Sequence, residues 1–264
     1  MIIDFHNHIG KGGRTDEPVK HPQTEFNPDE LLFKQYGKDI IEKMDRADIE
    51  RAIVFPFGRS TDGTFRKEND LIFDTCEEHP RLLAFCRLSP KNKGVGELNR
   101  CIKKGALGVK LHPRTQAFGL DAPRLFNILR IAEVERLPVL IHSEYIPSEE
   151  RLRGDVSFTT PVKFIPLARK FPKLNLIVGH LGRHEDRTRE KLRNIPNVYF
   201  ETSTSVHADI LLAAAAYGSE RILFGSDSPF SHPSVERMKI DILPLEKDEK
   251  ELILGGNAQR LLNE

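Results

Sequence analysis

The sequence has no tryptophan, three methionines, four tyrosines and only three cysteines. Cys76, Cys86 and Cys101 are odd in number and share no metal-ligand spacing. That argues against a disulfide framework and against a thiolate metal site, so they are expected as buried, reduced thiols of a cytoplasmic protein. Charge of one sign is also lacking, since 40 Lys and Arg face 39 Asp and Glu, for a formal net charge of +1. This balance argues against a chain built mainly to bind nucleic acid or an anionic membrane. No apolar run approaches the ~18 residues of a membrane span. The start, Met1-Ile2-Ile3-Asp4-Phe5-His6, has no basic segment ahead of an apolar stretch, so no secretory leader is expected. A Gly-rich phosphate turn after an early strand is missing as well, which counts against a doubly wound nucleotide fold.

What is present begins at Ile2-Ile3-Asp4-Phe5-His6-Asn7-His8. In a regular strand, alternate side chains share a face. Ile2, Asp4, His6 and His8 then lie on one side, and Ile3, Phe5 and Asn7 on the other. Two imidazoles so spaced can converge on one ion, and imidazole suits zinc, iron, nickel or copper better than magnesium or calcium. Residues 9–28 follow, rich in Gly, Pro, Lys and Asp and without periodicity, and read as a lid or substrate loop.

Beyond it, apolar runs alternate with helical segments. Helices are expected over about 28–47, 67–78, 94–104, from Asp121 as N-cap with Pro123 in the first turn, and over 160–171, 184–193 and 208–217. Strands are expected to end near His6, Phe57, Leu88, His112, His142, His180, Glu201 and Asp227. Eight strands alternating with helices over this length predict one domain, residues 1–264, with the (β/α)8 TIM barrel fold; the open doubly wound sheet is the alternative.

The chemistry gathers at the strand ends. In a parallel barrel all strand C-termini share one rim, where active sites are built. Five of the ten histidines fall there: His6, His8, His112, His142 and His180, beside Lys110 and Asp227. His79 is expected on the surface, and His184, His207 and His232 on the rim side.

These motifs resemble the amidohydrolase superfamily of metal-dependent barrels, in particular its amidohydrolase-related branch that includes aminocarboxymuconate-semialdehyde decarboxylase. Asp4-Phe-His-Asn-His8 is similar to the first-strand motif, Val139-Leu-Ile-His-Ser143 to the fifth, Ile177-Val-Gly-His-Leu-Gly182 to the sixth, and Phe224-Gly-Ser-Asp-Ser-Pro229 to the eighth. Gly255-Gly-Asn-Ala-Gln-Arg-Leu-Leu262 is similar to the branch's closing helix. The resemblance implies a divalent metal ion held by His6, His8, His142 and Asp227, with zinc placed ahead of manganese, cobalt and iron. Three neutral imidazoles and one carboxylate leave such an ion charged and open to water, whose pKa it lowers from 15.7 toward about 7. His180 and Asp227 are then the catalytic pair, moving protons or orienting the nucleophile. Lys110 either holds a substrate carboxylate or, carboxylated, bridges a second ion; one ion is preferred. His112 is a substrate or supporting contact. Arg59, Arg114 and Arg183 are candidates for a substrate carboxylate or phosphate. Glu144 and Glu201 are further candidates, Glu201 as an acid that orients a ligand.

The expected activity is hydrolysis of a small amide, ester or lactone by metal-activated water. The alternative is non-oxidative decarboxylation of a small aromatic or unsaturated acid, which uses nearly the same ligands. A barrel that only binds a ligand is the third reading. The expected partner is a small-molecule substrate, with no nucleic acid and no membrane. The resemblance implies a homodimer.

Overall fold

In a computed structural model of the protein, the described residues are 1–11, 34–57, 63–91, 93–143, 159–182 and 189–263. Among them are nine strands: β1 (Ile3–Lys11), β2 (Lys34–Gln35), β3 (Arg51–Pro56), β4 (Leu82–Arg87), β5 (Gly108–Leu111), β6 (Val139–Ile141), β7 (Leu176–Val178), β8 (Val198–Glu201) and β9 (Ile222–Leu223). The helices are α1 (Gly37–Arg46), α2 (Arg66–Glu78), α3 (Gly94–Lys103), α4 (Pro113–Gln116), α5 (Pro123–Val134), α6 (Phe164–Lys170), α7 (Arg189–Arg193), α8 (His207–Tyr217), α9 (Pro233–Asp241), α10 (Lys247–Glu251) and α11 (Asn257–Leu262). None is long and apolar enough to cross a membrane.

From β1 through β3 to β9, each strand pairs in parallel with the next in sequence, and β2 adds a short antiparallel pair to the end of β1. This order has no reversal point, so the doubly wound alternative is excluded. The last strand closes the sheet. Beyond β9 the chain runs along β1: Phe5 N donates to Phe224 O (2.9 Å), Asp227 N to His6 O (2.8 Å) and His8 N to Ser228 O (2.9 Å). The result is a (β/α)8 barrel.

Two-residue alternation splits the strands into two cores. Ile3, Phe5, Ile53, Phe55, Leu83, Phe85, Leu140, Ile177 and Leu223 fill the barrel interior. Ala52, Val54, Cys86, Val109, Ile141, Val178 and Phe200 pack outward against the helices. A Cβ on Gly108 would stand 2.3 Å from the Phe85 ring. Glycine there gives Phe85 its place in the floor below Lys110; losing such a ring costs about 3–5 kcal/mol.

Several boundaries differ from expectation. The helix expected from Pro28 is α1, which starts at Gly37. Residues 34–35 are strand, and 28–33 lie outside the described residues. Tyr36 is extended, and its N–H donates to Asp39 Oδ2 (2.8 Å), which fixes the start of α1 at the next residue. Ala122, not Asp121, caps α5. Pro123 holds the first helical position, and the residue before a proline is driven to extended backbone, so the cap falls on Ala122 (ψ 123°). The first residues of the expected lid, 9–11, continue β1, and 12–28 lie outside the described residues. All three cysteines are free, with Cys86 and Cys101 buried.

Candidate active site

The first strand departs from regular alternation where it matters. Its pairing with β3 shifts register between Asp4 and Asn7, a β-bulge. Ile3 and Phe5 enter the barrel floor, and His6, the residue after Phe5, also faces inward, as does His8 opposite Phe55. Asp4 is therefore not on the face of His6. It is buried beside the bulge, where Oδ1 accepts His6 N (3.1 Å) and Ser226 N (2.8 Å). Burial pushes its carboxyl up to about 6.

Three donors from the barrel's first and last strands meet above the floor. Asp227 Oδ1 lies 3.0 Å from His8 Nε2 and 3.2 Å from His6 Nε2. Ligands at the ~2.1 Å of metal–nitrogen or metal–oxygen bonds stand roughly 3.0–3.5 Å apart around one ion, so the spacing fits a divalent metal. Burial lowers the pKa of both imidazoles, which keeps them in the neutral, lone-pair-bearing form that a metal needs. Burial alone would raise Asp227, but the His8 hydrogen bond and the surrounding cationic groups outweigh it and hold the carboxyl below its usual range.

The outer nitrogen of His6 is spoken for. His6 Nδ1 is 2.8 Å from Glu201 Oε2, which turns Nε2 inward. A Cβ on Gly225 would fall 2.1 Å from Glu201 Oε1, so this glycine makes the space for the carboxylate. His6, His180 and Glu201 also cluster closely enough for an ion. However, the Ser203 hydroxyl fills that space, 2.9 Å from both His180 Nδ1 and Glu201 Oε2. This second cluster is a hydrogen-bonded support. His180 in turn reaches His142, Nε2 to Nδ1 at 3.0 Å, and the His142 ring stacks on His112 at 3.8 Å. His180 (φ 56°) and Asp227 (φ 59°) both hold left-handed backbone, uncommon for residues other than glycine and concentrated at functional sites.

Two cations complete the interior. Lys110 Nζ is fully buried, 3.0 Å from His6 Nε2 and 4.7 Å from the Phe55 ring centre. Burial lowers its pKa, and the Asp227 and Glu201 carboxylates work against that shift. Burial likewise raises Glu201. Arg87, the last residue of β4, is 2% exposed, and burial lowers it to about 10. An apolar wall stands beside His8: the rings of Phe55, Phe57 and Phe230 lie 4.8, 4.9 and 5.7 Å from it.

A buried metal-donor triad at the C-terminal rim of a closed barrel narrows the families to be compared. Residues 3–263 match the family described as Amidohydrolase. The chain belongs to the amidohydrolase family. Its fold is similar to 5-carboxyvanillate decarboxylase LigW from Sphingomonas paucimobilis (17% identity, TM-score 0.78, 99% of this chain and 98% of that one). It is also similar to 2,6-dihydroxybenzoate decarboxylase from Rhizobium (20%, TM-score 0.75, 99% and 98%). A third similar structure is the dihydroxybenzoic acid decarboxylase from Polaromonas sp. JS666 with bound manganese and the inhibitor 2-nitroresorcinol (20%, TM-score 0.75, 99% and 96%). A dihydroorotase of Buchnera aphidicola subsp. Schizaphis graminum is 29% identical over 113 residues, 39% of this chain and 31% of that enzyme's length.

In this amidohydrolase the structure brings together His6, His8, Lys110, His180, Glu201 and Asp227, with His142 and His112 joined on through His180. Glu201 takes the orienting position beside His6 that the sequence suggested for it. Arg114 is exposed on α4. Arg59, Glu144, Arg183 and His184 lie outside the described residues. Four contributors escaped the sequence reading: Ser203, Gly225, the Phe57–Phe230 wall and Arg87. Position at a strand's C-terminal end could have found Arg87, since Lys110 is its neighbour in the β4–β5 register.

Proposed function

We propose that this amidohydrolase is a divalent-metal-dependent, non-oxidative decarboxylase of a small aromatic or unsaturated carboxylic acid. The observation that carries the reading is the buried His6–His8–Asp227 triad adjoining an aromatic wall of buried Phe55 and Phe57 and exposed Phe230, suited to a flat substrate. The similar solved structures support it, being decarboxylases of aromatic acids, one with manganese. Hydrolysis, placed first on sequence, rests on the family alone.

His6, His8 and Asp227 would hold the ion, and His142, joined to the cluster through His180, would be the fourth donor in this proposal. A bound divalent ion supplies positive charge that draws the substrate's acidic groups and electron density. The chain supplies the rest. Glu201 fixes the His6 tautomer through Nδ1. The aromatic wall keeps the ring in place and water away. The carbon–carboxylate bond breaks, carbon dioxide leaves, and the electron pair stays on the ring carbon. That carbon takes a proton, which His180, backed by His142, is placed to hold, with Asp227 as its partner on the other side of the cluster. Lys110, buried beside His6 Nε2, is placed to steady the developing negative charge in its protonated form, which that charge would favour against the lowering by burial. Zinc is the ion the sequence put first, and manganese is the one present in a similar decarboxylase; elemental analysis of the purified protein distinguishes them. The homodimer and the cytoplasmic setting remain part of the proposal.

The deciding experiment supplies the manganese- or zinc-loaded protein with hydroxybenzoic acids, amides, esters and lactones. Carbon dioxide release from the acids, abolished in Asp227→Asn, is the expected outcome. Turnover of a lactone or amide with no carbon dioxide from any acid returns the assignment to hydrolysis.

A further inference from the structure

The carboxamide of Gln35 is fully buried and bridges the line where the barrel closes. The backbone of Gln35 pairs with Gly10 of β1. Its side chain reaches further: Nε2 donates to His8 O (2.8 Å) on one side of the closure and to Ser228 O (3.1 Å) on the other. Oε1 accepts from Ser228 Oγ (2.7 Å) and from Lys43 Nζ, and Lys43 Nζ also donates to Ser228 Oγ (3.2 Å). Both faces of the amide are engaged, so its orientation is fixed.

The two clamped carbonyls belong to the backbone that carries the donor triad. One is the carbonyl of His8 itself, and the other lies one residue after Asp227. Across this closure His8 N also donates to Ser228 O (2.9 Å), so a main-chain and a side-chain donor share that oxygen. The donors His8 Nε2 and Asp227 Oδ1 stand 3.0 Å apart, one from each of the two segments that Gln35 joins. A metal site tolerates displacements of only about 0.2–0.5 Å in its ligands. A shift in the spacing of the two main chains is therefore felt at the donors. The strand that supplies Gln35, β2, has two residues, so its side chain contributes more to this junction than its short ladder does. We propose that Gln35 is a positioning residue of the metal site, setting the separation of His8 and Asp227 by holding the His8 and Ser228 carbonyls together. This rests on the triad as a metal site and is independent of the reaction run there.

The test is manganese affinity, measured by calorimetry on metal-free protein at a temperature where each variant is folded. Under that condition a loss of global stability leaves the affinity of the folded state unchanged, whereas misplaced donors lower it. Gln35→Met, close in length but without the amide, should weaken manganese binding roughly 10–100-fold, the range of groups that hold metal ligands in place. Gln35→Asn keeps the amide but draws it back by one methylene, and should lose at least threefold; it carries the comparison if Gln35→Met does not fold. Asn197 is the matched control. Its Nδ2 also donates to backbone carbonyls, those of Ala168 (3.2 Å), Phe171 (3.0 Å) and Leu174 (2.9 Å), at the N-terminal end of β8. Asn197→Ala should lower Tm and leave manganese affinity within twofold of wild type. Wild-type affinity in the folded Gln35 variants, or an equal loss in Asn197→Ala, overturns the role of Gln35 and leaves the metal site standing. A wild-type protein that takes up no manganese overturns both.

Discussion

Glu201 shows how much a single side chain away from the donors can decide. Its carboxylate meets His6 Nδ1 at 2.8 Å and shares a proton network with Ser203 and His180. Partners in this position typically hold about 10–100-fold of metal affinity. Glu201→Gln is expected to weaken manganese binding by that amount in a calorimetric titration. Gly225→Ala should do the same without removing a polar group, because its methyl would stand 2.1 Å from Glu201 Oε1 and displace the carboxylate. Wild-type affinity in both variants would remove Glu201 from the metal's support. At this scale the sequence was readable where chemistry and spacing coincide: His6 and His8 two apart, His142, His180 and Asp227 at the ends of apolar runs. It was opaque where geometry intervenes. The bulge that turns both Phe5 and His6 inward leaves no mark in the polarity pattern, so period-two counting put Asp4 on the wrong face. Arg87 sits in Phe85-Cys-Arg-Leu88, which on sequence is an ordinary strand end.

Among the elements, α2, α3 and β4 are tied by a buried polar knot. Glu97 of α3 accepts from Asn69 Nδ2 (2.9 Å) and from Arg100 Nε (2.9 Å) and Nη2 (2.7 Å), while Asn69 also clasps the Arg87 backbone. Burial would raise the Glu97 carboxyl, yet the bonds from Arg100, Asn69 and Cys101 overcome it and leave the pKa below its ordinary 4.5. The ionised form is thus favoured by folding. Its contribution is complete above about pH 4.5 and is lost as pH falls through the lowered folded value. Glu97→Gln should cost about 1–3 kcal/mol at pH 7 in urea unfolding, and the deficit should shrink below pH 4.5. A deficit independent of pH would mean the charge plays no part. The strands and helices that build this knot were legible, because continuous apolar runs and helical spacing are set by burial. Their ends were less so: the cap of α5 follows from the proline's steric demand on Ala122, which outweighs the capping preference of Asp121.

For the whole molecule, the decisive feature is the seam where the barrel closes. Only three backbone hydrogen bonds, from Phe5, His8 and Asp227, join β1 to the segment 224–228 among the described residues. His6 and His8 stand on one side of that seam and Asp227 on the other, so an ion held by all three staples the first strand to the last. A ligand at a hundredfold excess over its dissociation constant stabilises the folded state by about 2.7 kcal/mol. For a chain of this size that corresponds to a rise in Tm of roughly 5–10 °C, which chelation should reverse. The effect should also be local. Hydrogen exchange is expected to quicken on chelation at the amides of Phe5, His8 and Asp227, while Val139, bonded to Asn175 O at 3.0 Å between β6 and the neighbouring β7, away from the seam, keeps its protection. Equal loss of protection at Val139 and at the seam would mean that the ion, if bound, does not close the barrel at this point.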